Sequence, residues 1–451
     1  MKKLLLFAVA FLLVISVNAQ ISWTEVFSGF STDSRGIEFI HIGDAQNAWA
    51  IGYDGSGNGA NVSAVTKTTD GGQTWTAFDP VSLPGTINPG IGMVFSAGGD
   101  VAYIAAYKNG AFGTNGVWKT TDGGATWVQS TSSNEYNSNS SFTNIVYFFD
   151  SQNGLTCGDP GANGEYEIYT TNDGGQTWQQ VAAADIPNPQ ASDEYGYVHS
   201  YAAAGNSFWF TTSYGRIFKT TDMGQTWTAY QTPLLDFGGM RVNGKFGNIT
   251  FKDDNEGWIT DQDGNLYHTT DGGANWTQMS PTGTVYIFDI AFVPGTSNML
   301  VSVGVNGTQT AYGSSYSMDG GQTWTDIDTN VQHTAVAMLN DAVGYSGGFS
   351  SQANNTGMFI WNNPNASVTE NLIDGLSVYP NPATTVVNVS VDNENIDNIV
   401  IFDITGKQVF TQNELNNSMI AINTVSFERG VYLMQITTEN NAQQTVKLII
   451  K

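Results

Sequence analysis

KTTDGGQTW, Lys67 to Trp75, packs an aspartate, two glycines and three threonines into nine positions. Taken alone it resembles a catalytic loop. Near-copies follow as KTTDGGATW (Lys119 to Trp127), TTNDGGQTW (Thr170 to Trp178), KTTDMGQTW (Lys219 to Trp227), HTTDGGANW (His268 to Trp276) and YSMDGGQTW (Tyr316 to Trp324). One catalytic centre has no use for six versions of one loop, whereas a fold assembled from repeated units needs the same turn in each. The stretch is therefore structural.

The box aspartates Asp70, Asp122, Asp173, Asp222, Asp271 and Asp319 are spaced by 52, 51, 49, 49 and 48 residues. A period near fifty, with several short strands per unit, predicts the radial repetition of a β-propeller. Each unit reads as an alternating apolar strand (GIEFIHI, NIVYFF), a second strand of small or aromatic residues (AWAIG, GLTCG), a third running into the box and a fourth beginning at the box tryptophan. Those tryptophans are Trp75, Trp127, Trp178, Trp227, Trp276 and Trp324. Trp23 lies 52 residues before Trp75 with no box of its own, and His333 to Asn362 supplies three strands that never reach one. Joining the two predicts that the N-terminal strand completes the last sheet. That closes a ring of seven blades and removes the open edge on which chains aggregate.

The box chemistry suits a turn. Asp70 supplies acceptors for turn amides, glycine at 71 or 72 permits a positive φ, and Trp75 pins the turn against its own blade. Met223 replaces the first glycine in the fourth box and Asn275 a threonine in the fifth, so the second glycine and the tryptophan carry most of the demand. On these residues the chain resembles the Asp-box, or BNR, repeat propellers. That group includes sialidases, xyloglucan-cleaving glycosidases, sortilin-type ectodomains and photosystem assembly factors, and the wording of the boxes is most similar to the last. The resemblance implies an architecture rather than an activity, with boxes away from the ligand face.

The chain opens MKKLLLFAVAFLLVISVNAQ, whose two lysines, apolar run and small Ala19 predict a signal peptide over residues 1–19. Neither that run nor any later one reaches the length of a spanning helix. With no cysteine near the cleavage point, a lipoprotein anchor is not expected. The single cysteine, Cys157, excludes an intrachain disulfide and reads as a small buried residue. His41, His199, His268 and His333 show no metal-ligand spacing, and neither a metal nor a cofactor is expected. Forty acidic residues against fifteen basic ones give a formal charge of −25, a surface that repels nucleic acid and anionic lipid. A monomer binding a protein or glycan ligand is expected.

From Leu376 the repeat gives way to LSVYPNPATTVVNVSV, NIVIFDITGKQVF and RGVYLMQITTENNAQQTVKLIIK. These alternating strands predict a small antiparallel sandwich. The order Tyr379-Pro380-Asn381-Pro382, then Asp403 with Gly406 and Lys407, then Gly430 and Tyr432, then a closing Lys447–Lys451 strand resembles the type A C-terminal sorting domain of the type nine secretion system of Bacteroidetes. The resemblance implies passage through the secretion machinery, with the cargo released or attached at the cell surface. The expected organisation is thus all-β: signal peptide 1–19, seven-bladed propeller 20–368, linker 369–375 and an immunoglobulin-like sandwich 376–451.

Propellers bind ligands on the face opposite such boxes. The most distinctive segment there is NPQASDEYGYVH, which carries Asp193, Glu194, Tyr195, Tyr197 and His199 to the entry of the fourth blade. Carboxylates beside aromatic faces stack on sugars or clasp cations. With Arg35, Glu38, Arg241 and Asp289 from other blade starts, these form the candidate ligand site. Arg35, Arg216 and Arg241 invite comparison with the sialidase arginine trio, but Arg35 is followed by Gly-Ile-Glu and Arg216 directly precedes a box strand. Glycosidase chemistry needs two carboxylates facing one bond, and Glu38, Asp193, Glu194, Asp261, Asp263 and Asp289 cannot be paired from sequence. DQDGNLY, Asp261 to Tyr267, lacks the glycine and twelfth-position acid of a calcium loop and reads as a hairpin turn. A non-catalytic binding module is the leading expectation, with a polysaccharide hydrolase as the alternative.

Overall fold

The computed structural model describes residues 20–57, 62–110, 114–242, 245–306, 312–350, 356–364, 373, 375–391, 394–403, 407–413, 415–439 and 443–451. The predicted signal peptide, most of the predicted linker and Gly406 lie outside these residues. Contacts divide the chain into two compact units, 1–366 and 367–451.

Short runs of β-branched and aromatic residues between glycine- and asparagine-rich turns make this an all-β chain. Among the described residues the one helical element is a single turn, Ala183–Asp185. Among the described residues the first unit contains seven four-stranded antiparallel sheets. Their first strands are Arg35–Ile42, Gly90–Ser96, Thr143–Phe148, Gly196–Ala204, Gly247–Phe251, Asp289–Phe292 and Ala335–Met338, numbered here as sheets 1 to 7. Each first strand packs on the first strand of the next sheet, and the seventh packs back on the first. The first strands therefore line the middle of a closed ring. Closure is made by Ser22–Phe27, which pairs with Gly357–Asn362 so that Trp23 lies opposite Trp361, the join predicted from the Trp23 spacing. The Trp23 indole also donates to Ser314 Oγ of sheet 6 at 3.0 Å.

Antiparallel order fixes two edges. Box turns join third to fourth strands and all lie on one edge; the starts of the first strands and the loops between second and third strands lie on the other. In the first box the Thr68 hydroxyl donates to Asp70 Oδ1 at 2.8 Å and accepts the Gly72 amide at 2.9 Å. The Thr74 amide and hydroxyl donate to Asp70 at 2.9 and 2.6 Å. Asn275 keeps the pattern by donating its side-chain amide to Asp271 Oδ2 at 2.7 Å. Both glycines take positive φ, +70° at Gly71 and +86° at Gly72. They differ in surroundings: a Cβ on Gly72 would sit 2.4 Å from Tyr345 Cε1 of sheet 7, whereas none would come nearer than 3.4 Å at Gly71. That is why Met223, at φ 59°, is accommodated in the first position.

Each box is bolted to the preceding sheet as well as to its own. Trp75 packs edge-on to Tyr345 at 5.4 Å. The Gly174 carbonyl accepts Tyr103 and Lys119, both at 2.9 Å, and the Gly272 and Gly320 carbonyls accept the Trp209 and Trp258 indoles at 3.0 and 2.9 Å. The expectation that the tryptophan serves its own blade is thus widened: it seals the seam between neighbours.

The second unit pairs a sheet of Ser377–Tyr379, Val386–Ser390 and Met419–Asn423 with one of Gln408–Gln412, Ile396–Asp403, Gly430–Thr438 and Gln443–Ile450. Val387, Val389, Ile399, Ile401, Ile422, Met434 and Leu448 form their common core. Asn381 clips the Tyr379–Pro382 turn to the last strand, donating to the Lys447 carbonyl at 2.7 Å and accepting the Ile449 amide at 2.9 Å. The buried Tyr432 donates to the Glu428 carbonyl at 2.8 Å.

Candidate functional site

Irregularities in the first strands shape the middle of the ring. Between sheets 1 and 3 each first strand holds one unmatched residue: Glu38 between Ile37 and Phe39, Gly92 between Ile91 and Met93, Asn144 between Thr143 and Ile145. A bulge re-aims side chains and frees backbone groups. In sheet 4 the excess is larger, because five steps from Gly196 to Tyr201 face only two from Thr212 to Phe210. The surplus arches inward and carries Tyr197, Val198 and His199, with His199 at φ 42°. The first strands of sheets 5 to 7 run without a register shift.

Beside this arch is a cavity of about 730 Å³ lined by Glu38 to Ile42, Tyr53, Tyr147, Tyr197 to Ala203, and residues of the first strands of sheets 5 to 7. His199 spans its wall. Its Nδ1 lies 3.2 Å from the Gly92 carbonyl, which can only accept, so Nδ1 carries a proton and Nε2 is the ring nitrogen left to face the cavity. Nε2 faces Glu38 Oε1 at 4.0 Å, and the ring rests on Phe39 at 5.2 Å. Burial raises the Tyr53 hydroxyl, with the negative charge of Glu38 adding to it. Asp289 lines the same cavity; burial pushes its carboxyl up to about 7 against the pull of the Val336 and Ile290 amides. His41 is held down to about 3 by burial while its Nδ1 accepts the Ser96 amide at 3.1 Å.

Of the residues expected at a ligand site, Glu38, Tyr197, His199 and Asp289 meet at this cavity. The others do not line it. Arg35 is buried and pairs with Asp79 at 2.8 Å. Glu194 is turned inward, its side chain wholly covered, held by Arg216 at 2.8 Å and by the Thr212 hydroxyl at 2.7 Å, so it is an internal anchor rather than a ligand-facing carboxylate. Arg241 lies over the Tyr214 ring at 4.0 Å and donates to the Ser213 and Leu235 carbonyls. Asp193 accepts the Tyr214 hydroxyl at 2.6 Å outside the cavity, and Tyr195 packs on Tyr197. The three ring arginines are thus consumed by separate local partners, unlike a trio gripping one carboxylate. Asp261 accepts the amides of Asp263 and Asn265, both at 2.9 Å, as a hairpin turn requires. Cys157 is buried, and burial raises its thiol. Among the described residues no cluster of three or more metal-ligating side chains occurs. Sequence reasoning missed Phe39, Tyr53, Tyr147, Phe246 and Phe288 on the cavity wall; the one available signal was the adjacent apolar pair Phe39 and Ile40, which breaks the alternation of RGIEFIHI.

The secretion system C-terminal sorting domain matches residues 377–451. The family model of the photosynthesis system II assembly factor YCF48 matches 96–241 and 206–369. An endo-acting ulvan lyase of Formosa agariphila is 39% identical over 88 residues, 19% of this chain and 17% of that protein. Ulvan lyase NLR42 of Nonlabens ulvanivorans is 25% identical over 183 residues, 36% of this chain and 30% of its own length. The chain therefore spans under a third of either relative. A solved structure, YCF48 bound to D1 peptide, superposes with a TM-score of 0.50 at 18% identity, covering 76% of this chain and 96% of that one. The likeness places the first unit among β-propellers.

Proposed function

We propose that this chain, which belongs to the photosynthesis system II assembly factor YCF48 family of BNR propellers, is an extracellular, non-catalytic binding or assembly module that takes its ligand in the central channel. The sorting domain marks it for export by the type nine secretion system and implies contact with that machinery. Within the proposal, the seven sheets are seven blades over residues 20–368, residues 376–451 form an immunoglobulin-like sandwich, and a signal peptide over 1–19 precedes export. The mature protein is a monomer released from the cell or held at its surface. The observation that carries the reading is the fate of the carboxylates. Of those expected near the ligand face, Asp193 accepts Tyr214 outside the cavity, Glu194 is spent on Arg216, Asp261 on its own turn, Asp263 on Lys245 and Asp289 on two backbone amides, which leaves Glu38 on the cavity wall. A glycosidase needs two facing one bond. A ligand of the same kind as the peptide held by the solved family member belongs to this proposal.

One observation favours the alternative of a glycoside hydrolase. Asp289, pushed up to about 7, and Glu38 line one cavity, and acid–base hydrolysis requires two carboxyls in different environments facing one bond. Reducing-sugar release from a panel of plant, algal and microbial polysaccharides separates the readings. The binding module releases none. Turnover of one substrate, lost in both Glu38→Gln and Asp289→Asn, makes it a hydrolase.

A further inference from the structure

Glu38 and His199 stand too far apart to bond each other and close enough to share a third group. At 4.0 Å between Oε1 and Nε2, a nitrogen about 2.8 Å from both would subtend an angle of about 90°, within reach of two N–H directions of a tetrahedral ammonium. Each partner is held for that task by backbone. The bulge in sheet 1 turns Glu38 toward the cavity, where it has no hydrogen-bond partner among the described residues, and the arch of sheet 4 brings His199 to the Gly92 carbonyl that the bulge in sheet 2 frees. In the tautomer with its proton on Nδ1, Nε2 offers a lone pair beside the Glu38 carboxyl, and the two form a pair of acceptors.

The rest of the wall agrees in sign. Among the described residues lining the cavity there is no lysine or arginine, while Glu38 and Asp289 are both there. A carboxylate-bearing ligand would find no cation to neutralise it. An ammonium would find a carboxylate, an imidazole acceptor and the aromatic faces of Phe39 and Tyr53, and the aliphatic stem behind it would lie along Phe246, Phe288 and Val336. Resting on the binding reading above, we propose that the Glu38–His199 pair is a recognition site for a primary ammonium group, and that its occupant is a lysine side chain of a protein partner.

The test uses the full secreted chain and a glycine/serine nonapeptide with one central lysine, its acetyl-lysine counterpart and a glucosamine tetramer, each followed by calorimetry. The lysine peptide should bind, and acetylation should weaken binding at least tenfold. Glu38→Gln, which keeps the shape of the side chain, should weaken it about tenfold or more, the worth of a hydrogen bond to a charged group. His199→Asn, a residue that tolerates positive φ, should weaken it severalfold. Asp193→Asn, outside the cavity, should leave it unchanged. Equal binding of the acetylated peptide, or of Glu38→Gln, overturns the proposal. A glucosamine tetramer bound in preference to the peptide, with the same Glu38 dependence, overturns the protein lysine as occupant. If amines fail while another protein or glycan binds independently of Glu38, the ammonium site falls and the binding module stands; polysaccharide turnover breaks the binding module itself.

Discussion

Six box aspartates and two aspartates on the opposite edge show how one residue type serves two ends. At the boxes each carboxylate accepts a ring of donors from its own turn. Asp173 is drawn to about 2: its partial burial opposes the charge, but the Thr177 hydroxyl and amide and the Thr171 hydroxyl outweigh it. The other five box aspartates shift the same way. Across the ring, Asp159 and Asp289 have two donors each and far less water, and burial carries both up to about 7. The boxes are repeated because every seam needs the same bolt. The opposite edge is irregular because there the strands bulge, and bulges cost ladder bonds that only a fold closed elsewhere can spare.

The largest effect should come from attacking the bolt. Gly72→Ala forces a methyl to within 2.4 Å of the Tyr345 ring at a φ of +86°. A loss of about 3 kcal/mol in urea unfolding is expected, from overpacking plus backbone strain. Gly71→Ala, with no such neighbour, should cost about 1 kcal/mol. Equal losses at the two positions would break the view that the second glycine is set by the seam.

The opposed aspartates predict an acid-shifted stability curve. Asp159 has a folded pKa above its unfolded value, so its contribution is full below about pH 4 and is lost as pH rises toward 7. Asp173, depressed when folded, contributes above about pH 4 and loses that as pH falls toward 2. Self-repulsion at a formal −25 adds to the loss at neutral pH. Stability should therefore peak near pH 4 to 5. Asp159 holds Asn144 and the Gly196 amide on one oxygen, at 2.7 and 3.0 Å, a role that an amide oxygen can keep. Asp159→Asn should thus recover on the order of 2 kcal/mol of the loss between pH 4 and 7. An unchanged slope would remove Asp159 from the account. Asp173→Ala should cost about 1.5 kcal/mol at pH 7 through its lost turn bonds, and less at pH 2.

The contrast also explains what was legible. The ring could be read because its joints are local: aspartate, threonine, glycine and tryptophan meet within nine residues, and repetition exposes them. Even the closing strand was legible from one unboxed tryptophan. The channel could not be read in the same way, because Glu38, Gly92 and His199 meet only through register shifts, and a one-residue excess leaves no mark on composition. NPQASDEYGYVH stands out in the sequence, yet its residues divide: His199 and Tyr197 reach the cavity, whereas Glu194 turns back to Arg216. Alternation along a strand sends neighbours to opposite sides, and the arch makes that parity unpredictable.

The smallest expected effect concerns a residue of the repeat that turn chemistry alone leaves unexplained. Lys67 and Lys119, three positions before their box aspartates, ignore their own turns. Lys67 lies over Trp49 at 5.6 Å and donates to the Gly123 carbonyl of the next box; Lys119 lies over Tyr103 at 5.2 Å and donates to Gly174. Burial lowers the Lys119 pKa. The acceptor is a carbonyl rather than a carboxylate, so the staple should be nearly indifferent to salt, unlike a surface ion pair. Lys67→Met keeps the stem on Trp49 and removes only the head, and should cost about 0.5–1 kcal/mol at low and high salt alike. A cost that vanishes in high salt would show long-range attraction to the acidic surface instead, and the seam would then be held by its glycines and aromatic rings alone.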